Sequence, residues 1–357
     1  MEILQLVIAL VVILIAAELF TNGIEWFGHK LNLAEGAVGS VLAAVGTALP
    51  ETMIPLVAIL FAVGSTDPSS AHGIGVGAIL GAPFMLATLA MFVTGLGVIV
   101  YRRRRRTGVI MPVNTHVLGL DIRYFFIAYA IAVGAAFVPS DLVVLRYVAV
   151  AALIGIYAWY VKRHFEADAS VDATDLAPLR FRRVDRRRYS TDPEGNPRLR
   201  VVNLQVLVAL GMIIGGAVVF VGAVEHLAEG FGLDPVLLSL IIAPIATELP
   251  EKFNSVLWVR NGKDTLAMGN ITGAMVFQSC LPTVLGLLFT SWVFTPESAI
   301  HFASAAVAFV ATILIFGGMI LRGRLTAWAL LIGGPFYLVY LYLALFTSLG
   351  ASAAPVH

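Results

Sequence analysis

"PIATELPEK", residues 244–252, lies inside an apolar run from Val236 to Val259 and places Glu248, Glu251 and Lys252 where hydrocarbon should be. A charge at the centre of a bilayer costs about 2.5–3.5 kcal/mol even on the lenient insertion scale, so such residues are kept for function or neutralise one another. The stretch has an earlier counterpart, "AVGTALPET" at 44–52. The register that superposes the two also aligns Phe20, Glu25, Leu33, Ala43, Thr47, Leu49, Pro50 and Glu51 with identical residues. After each cluster comes a second correspondence, "GAILGAP" at 77–83 and "GNITGAM" at 269–275. Small residues four apart let membrane helices approach closely. The pairs Gly77/Gly81 and Gly269/Gly273 therefore predict tight packing of the third apolar stretch on the second, and of the eighth on the seventh.

Around these repeats the chain is far more apolar than a soluble protein. Hydrophobic residues make up 59% and charged residues 13% of 357 positions, and mean hydropathy is +0.91. A bilayer crossing takes about 20 apolar residues. Polar or glycine-rich breaks divide the chain into ten such stretches, near 3–20, 36–62, 73–100, 121–138, 142–161, 203–224, 236–259, 266–290, 298–320 and 325–348. Alternating-polarity strands are absent, which leaves an all-α integral membrane bundle rather than a β-barrel. The first stretch has neither a basic lead-in nor a small-residue cleavage site and is expected to be retained. One cysteine, Cys280, permits no intramolecular disulfide.

Charge sets the expected orientation. With alternating helices, 21 of the 23 Lys and Arg fall on the side of Arg102 to Arg106, the exceptions being Arg146 and Lys252. Positive residues gather on the cytoplasmic side, so both termini are expected outside, in a plasma or inner membrane. The run Arg102, Arg103, Arg104, Arg105 and Arg106 is then a topology signal that can also touch anionic lipid. Nucleic acid is an unsuitable partner for a chain of net charge +1. The expected organisation is a first five-helix repeat over 1–161 with its motif at 46–51, a charged cytoplasmic loop over 162–200, a second five-helix repeat over 201–349 with its motif at 246–251, and a short tail over 350–357. Five is odd, so the repeats are inverted. Inverted repeats with interrupted helices at the midplane are a transporter architecture.

The motif chemistry favours a hard cation. Pro50 and Pro250 cannot donate a backbone hydrogen bond and release the carbonyls of Gly46 and Ala246. Thr47 and Glu51 are four apart, as are Thr247 and Glu251, so each motif aims a hydroxyl and a carboxylate in one direction. Calcium takes six to eight oxygens of these kinds, and the motifs hold no cysteine or histidine for a softer metal.

"GTALPE" and "ATELPE", each followed by a glycine-rich helix, resemble the two alpha-repeats of the calcium/cation antiporter superfamily, which includes the sodium/calcium exchangers. The resemblance implies a ten-helix exchanger fold in which Glu51 and Glu251 bind calcium with Thr47 and Thr247 beside them. Family members that use sodium commonly carry serine after the motif threonine, where this chain has Ala48 and Glu248. They also carry polar or acidic residues on the following helix, where Ala82, Leu86, Ala274 and Gln278 stand. Only Gln278 keeps a carbonyl oxygen there, which puts sodium coupling in question.

Glu248 and Lys252 belong to the second motif alone, since Ala48 and Thr52 occupy the first. They are four apart in the favourable order and can neutralise each other. Alternatively Lys252 is a tethered cation in a sodium-like site, or Glu248 carries a coupled proton. Asn254, Ser255 and Asn270 are candidate supporting groups behind the ligands. Glu18, Glu25, Glu225, His226 and Glu229 lie toward the ends of stretches and are expected to be solvated or at an ion entrance, and the remaining histidines to be interfacial. The 162–200 loop turns from acidic to basic and is expected to be a solvated linker with a regulatory role open to it, too short for a folded domain.

The expectation is a secondary antiporter exchanging calcium for sodium or protons by alternating access, without organic cofactor or covalent catalysis. A divalent cation channel, an exchanger of magnesium, manganese or another divalent ion, and an intramembrane enzyme are the alternatives. The last lacks a His-Glu zinc motif or a nucleophile paired with a base.

Overall fold

The computed structural model describes residues 2–33, 36–48, 52, 79–139, 141–166, 176–185, 196–231, 249–295 and 299–352. These residues form an almost wholly helical bundle. In chain order it comprises α1 (Glu2–Lys30), α2 (Ala37–Ala48), α3 (Ile79–Tyr101), β1 (Ile110–Met111), α4 (Thr115–Ala135), α5 (Val143–Phe165), α6 (Leu199–Phe231), α7 (Leu249–Arg260), α8 (Asp264–Phe289), α9 (Ala299–Arg322), β2 (Leu325–Thr326), α10 (Ala327–Leu330) and α11 (Gly333–Ser352). Seven of the described helices, α1, α3, α4, α5, α6, α8 and α9, contain a segment long and apolar enough to cross a membrane.

α8 is the axis of the bundle: 83% of its most apolar window is buried in protein, against 17% for α5 at the periphery. It packs against α2, α4, α5 and α7, while α1 lies along α6. Two helices carry wide π-turns, at Ala37–Ala43 in α2 and at Leu86–Ala90 in α3. Such turns leave backbone groups outside the regular ladder and recur at functional sites.

The glycine pair of α8 packs differently from the sequence expectation. A Cβ on Gly273 would lie 2.0 Å from the Ser40 carbonyl oxygen, and one on Gly269 2.8 Å from Ser40 Oγ. The close approach is therefore to α2 in the other half of the chain, not to α7. α7 meets α8 through Ser255, whose Oγ donates to the Ala267 carbonyl at 3.1 Å. Among the described residues nothing lies within 4 Å of a Cβ built on Gly81, and Gly77 falls outside them. Backbone cannot move aside as a flexible side chain can, so Gly273→Ala pushes α2 from α8 at a cost of about 1–3 kcal/mol. Its expected signature is a melting temperature in detergent several degrees below wild type; an unchanged one would place the two backbones farther apart.

Several connections are sharper than hydropathy suggests. α4 begins at Thr115, with Asn114 Oδ1 accepting from His116 N and Val117 N at 3.1 and 3.2 Å. Such a cap satisfies two of the otherwise unpaired first amides of a helix. Asp121, taken from the sequence as a boundary, is thus nearly two turns inside the helix and fully buried. The stretch expected as one span over 325–348 is divided: Leu325–Thr326 pairs antiparallel with Ile110–Met111, and the short α10 precedes α11.

One member of the arginine run is removed from the surface. The Arg105 guanidinium, buried like its partner, grips Asp264 at the head of α8 through Nη1–Oδ1 at 2.7 Å and Nη2–Oδ2 at 2.6 Å, and also donates to the Val259 carbonyl. Arg105 is therefore a structural clamp and not available to lipid. Glu25 likewise is buried rather than solvated. It accepts from Trp258 Nε1 at 2.7 Å and from Lys263 Nζ at 2.5 Å, which ties α1 to the turn between α7 and α8. Part of the 162–200 loop is docked as well, over 176–185. Asn22 and Trp26 of α1 donate to the Ala177 carbonyl at 3.1 and 2.8 Å, and Phe181 N donates to Gln205 of α6 at 2.8 Å. A solvated linker does not describe that segment.

Candidate cation-binding site

The described residues reach each motif from one side. α2 is described as far as Ala48, which takes in Gly46, Thr47 and Ala48 of the first motif, and α7 from Leu249, which takes in the end of the second. Glu51, Ala246, Thr247 and Glu248 lie outside the described residues, and for Glu251 the backbone alone is described, within α7. The rest of the expected set can be placed.

Thr47 is fully buried on α2. Its hydroxyl donates to the Ala43 carbonyl at 3.0 Å, one turn back, and lies 3.2 Å from Oδ1 of Asn270 on α8. Asn270, expected from sequence as a supporting group, thus reaches the first motif's threonine. Gln278, two turns farther along α8, donates Nε2 to the Ala48 carbonyl at 3.3 Å, and Thr52 Oγ1 donates to the same carbonyl at 2.9 Å. The structure therefore brings Thr47, Asn270 and Gln278 together, one residue from the first half and two from the second. Gly46 packs on α1: a Cβ there would be 2.5 Å from Phe20 Cζ.

On α7, Lys252 is buried at 5% exposure, Ser255 is turned to the α8 backbone, and Asn254 is fully buried. Sequence reasoning missed the partner of Asn254, which is Thr21 of α1. The Thr21 hydroxyl lies 2.6 Å from Asn254 Oδ1 and 2.8 Å from the Ala17 carbonyl, while Asn254 Nδ2 finds no acceptor among the described residues. A hydroxyl has one proton to give. Turning the Asn254 amide over resolves both defects, because Nδ2 then donates to Thr21 while Thr21 donates to Ala17. The orientation of such an amide is fixed by its network, and here that network favours Oδ1 as the atom without a partner among the described residues. The result is a buried carbonyl oxygen one helical turn from Glu251, of a kind that suits a hard cation.

Among the described residues no three His, Cys, Asp or Glu side chains converge as a metal site. The described portion supplies hydroxyl and amide groups; the carboxylates of Glu51 and Glu251 are the charged members expected from the sequence.

Known proteins resemble this chain over most of its length. The family model described as "Sodium/calcium exchanger protein" matches residues 1–163 and 202–346. "Putative antiporter CaxA" of Alkalimonas amylolytica is 24% identical over 286 residues, covering 78% of this chain and 77% of its own. The inner membrane protein YrbG of Escherichia coli strain K12 is 24% identical over 282 residues, covering 79% and 77%. The fold is similar to that of the sodium-calcium exchanger NCX_Mj soaked with 100 mM Na+ and 10 mM Sr2+, with a TM-score of 0.70 at 16% identity over 95% of this chain and 96% of that one. With most of its length matched by one family of ion exchangers, this multi-pass membrane chain belongs to the sodium/calcium exchanger protein family and is a cation antiporter.

Proposed function

We propose that the chain exchanges calcium for sodium or protons by alternating access, with Glu51 and Glu251 as the principal calcium ligands. Thr47, Thr247 and the carbonyls of Gly46 and Ala246 complete the inner set. The observation that carries this reading is the Thr47–Asn270 contact at 3.2 Å, which joins the first motif to α8 of the second half inside one buried core. A site shared between two halves can be closed from either side when the halves move, whereas a pore needs no such sharing. The two matched segments of one family model support a duplicated chain, read here as two inverted five-helix repeats making ten spans. The termini are read as outside and the membrane as the plasma or inner membrane.

Gln278 belongs to the calcium site through its position on α8, and its amide donates to the Ala48 carbonyl. Asn254 is a supporting group beside it, since with its amide turned over Oδ1 is the atom without a partner among the described residues. Glu248 and Lys252 are the candidates for setting the counter-ion, because they have no charged equivalents in the first motif.

The test is uptake of labelled calcium into vesicles reconstituted with the purified protein. Uptake is expected to saturate with calcium and to require an outward gradient of either sodium or protons. A channel would instead pass calcium down its own gradient without a counter-ion, and indifference to both gradients would end the exchange reading.

A further inference from the structure

A second buried polar cluster lies apart from the motifs, and no step of the proposed exchange uses it. Asp121 of α4 is fully buried, as are Ser40 of α2, Tyr160 and His164 of α5, and Thr272 of α8. Four helices thus meet at one carboxylate. Its Oδ2 accepts from Ser40 Oγ at 2.8 Å and faces Thr272 Oγ1 at 2.5 Å. Its Oδ1 lies 3.0 Å from the Tyr160 hydroxyl and 2.9 Å from His164 Nε2.

The surroundings of the imidazole favour a proton in this cluster beyond those of its neutral groups. His164 Nδ1 is 3.0 Å from the Tyr160 carbonyl, which can only accept, so Nδ1 carries a hydrogen. In a neutral ring Nε2 would then set a lone pair beside the Asp121 carboxylate at ion-pair distance, off the line of a hydrogen bond to Oδ1. One further proton, on Nε2 or on the carboxyl group, removes that conflict. Position favours this too, because His164 is in the last turn of α5, where the helix dipole stabilises a cation.

The two flanking hydroxyls are placed to respond. Tyr160 has one proton for two acceptors, Asp121 Oδ1 and the Ser40 carbonyl at 2.9 Å. Thr272 likewise has one for Asp121 Oδ2 and the Met268 carbonyl at 2.9 Å. With the extra proton in place, Tyr160 is free to hold the Ser40 carbonyl. Without it, the Tyr160 and Thr272 hydroxyls turn to the buried carboxylate, and the Ser40 carbonyl loses the Tyr160 hydroxyl. That carbonyl belongs to the π-turn of α2 and is the group against which Gly273 of α8 packs. α2 and α8 also carry Thr47, Asn270 and Gln278.

We propose that Asp121 and His164 form a proton-binding site whose occupancy holds α2 and α8 in register and thereby sets the pH dependence of ion exchange. The groups facing the pair leave few competitors. From α2 comes the Ser40 hydroxyl and from α8 the Thr272 hydroxyl, both neutral; from α5 comes Tyr160, with Tyr157 stacked on it at 5.9 Å; from α4, Tyr124 meets the Tyr160 ring at 5.4 Å. Lys162, nearby on α5, is exposed and paired with Glu166. Gly36 approaches the His164 ring edge, and its sequence neighbour Glu35 lies outside the described residues. Glu35→Gln is therefore the control.

The transport half of this inference rests on the calcium exchange proposed above, and the proton half does not, so both are measured. In reconstituted vesicles at fixed gradients, wild-type calcium uptake is expected to fall by about fivefold or more as the pH is raised through the titration of the pair. His164→Gln, which keeps an amide donor toward Asp121 but cannot release a proton, is expected to abolish that fall, and Glu35→Gln to retain it. Independently, histidine-labelled protein in calcium-free detergent is titrated by NMR. The His164 resonance is identified by its loss in His164→Gln or, should that variant not fold, by its displacement in Asp121→Asn. A midpoint matching the transport profile supports the proposal. An imidazole that never titrates, a profile unchanged in His164→Gln, or a fall that follows Glu35 overturns it. Should calcium uptake itself fail while the resonance titrates and responds to Asp121→Asn, the proton site stands and the calcium reading does not.

Discussion

Glu251→Gln is expected to lower gradient-driven calcium uptake by about a hundredfold or more, and Glu51→Gln to do the same, while both variants melt close to wild type. The size follows from charge. At a calcium–oxygen distance of about 2.4 Å, attraction between a divalent ion and one carboxylate amounts to about 3.5 kcal/mol even at the dielectric of water. Each 1.4 kcal/mol is a factor of ten in affinity. Glutamine keeps the volume and one oxygen, so packing is preserved and the missing charge dominates. The two variants should act alike, because each motif contributes one carboxylate in the proposed site. Calcium binding measured by calorimetry on detergent-purified protein separates a lost site from a blocked transition. A variant that binds calcium as wild type does but fails to transport it would remove the glutamate from the ligand set.

Arg105→Ala is expected to be the most destabilising change outside the motifs, at about 3–5 kcal/mol. The loss is not that of a surface ion pair. Asp264 is buried beneath the Arg105 fork, with both carboxylate oxygens engaged at 2.7 and 2.6 Å, and removal of the guanidinium leaves its charge uncompensated. Breaking one side of such a pair costs that much, whereas replacing both partners by apolar groups of similar volume is often neutral or better. Arg105→Met with Asp264→Leu should therefore recover most of the stability lost by Arg105→Ala. Arg105→Lys should not, since an ammonium cannot reproduce the two-pronged contact. Thermal unfolding in detergent distinguishes these outcomes. If the double variant melts no higher than Arg105→Ala, the added donation from Arg105 to the Val259 carbonyl, and not the ion pair, holds the turn.

Asp264 opens α8, Thr265 beside it accepts from Asn114 N at 3.0 Å, and Lys263 just before it holds Glu25 of α1. The start of the central helix is thereby fixed to α1, to the arginine turn and to the cap of α4. Gly269, Asn270 and Gly273 on the face toward α2 follow along that helix, and Gln278 lies fourteen residues past Asp264. The site is thus positioned from a well-anchored end.

Much of this was legible from sequence because it depends on sums. Membrane residence, the helical class and the approximate position of most helices follow from averaged hydropathy, which neighbours along the chain determine together. The family was legible from the duplicated "GTALPE" and "ATELPE". Three residues read as peripheral were not: Asp121 as a span boundary, His164 as an interfacial histidine, Glu25 as a solvated end. Asp121 left a signal, a lone carboxylate followed by "IRYFFIAYAIAVGA", yet its partners are 81 and 151 residues distant at Ser40 and Thr272.

By itself the sequence determined that this chain lives in a bilayer, that it is built from apolar helices, and that two copies of one polar motif interrupt them. Tertiary structure alone decided which polar groups neutralise one another: Arg105 with Asp264, Glu25 with Trp258 and Lys263, Asp121 with His164, Thr47 with Asn270. The physical reason is that the drive into the membrane adds residue by residue, whereas a buried hydrogen bond or ion pair depends on a few tenths of an ångström between helices far apart in the chain. Gly273 shows both sides: its spacing from Gly269 announced a close contact, and only the packed fold showed that the contact is with Ser40.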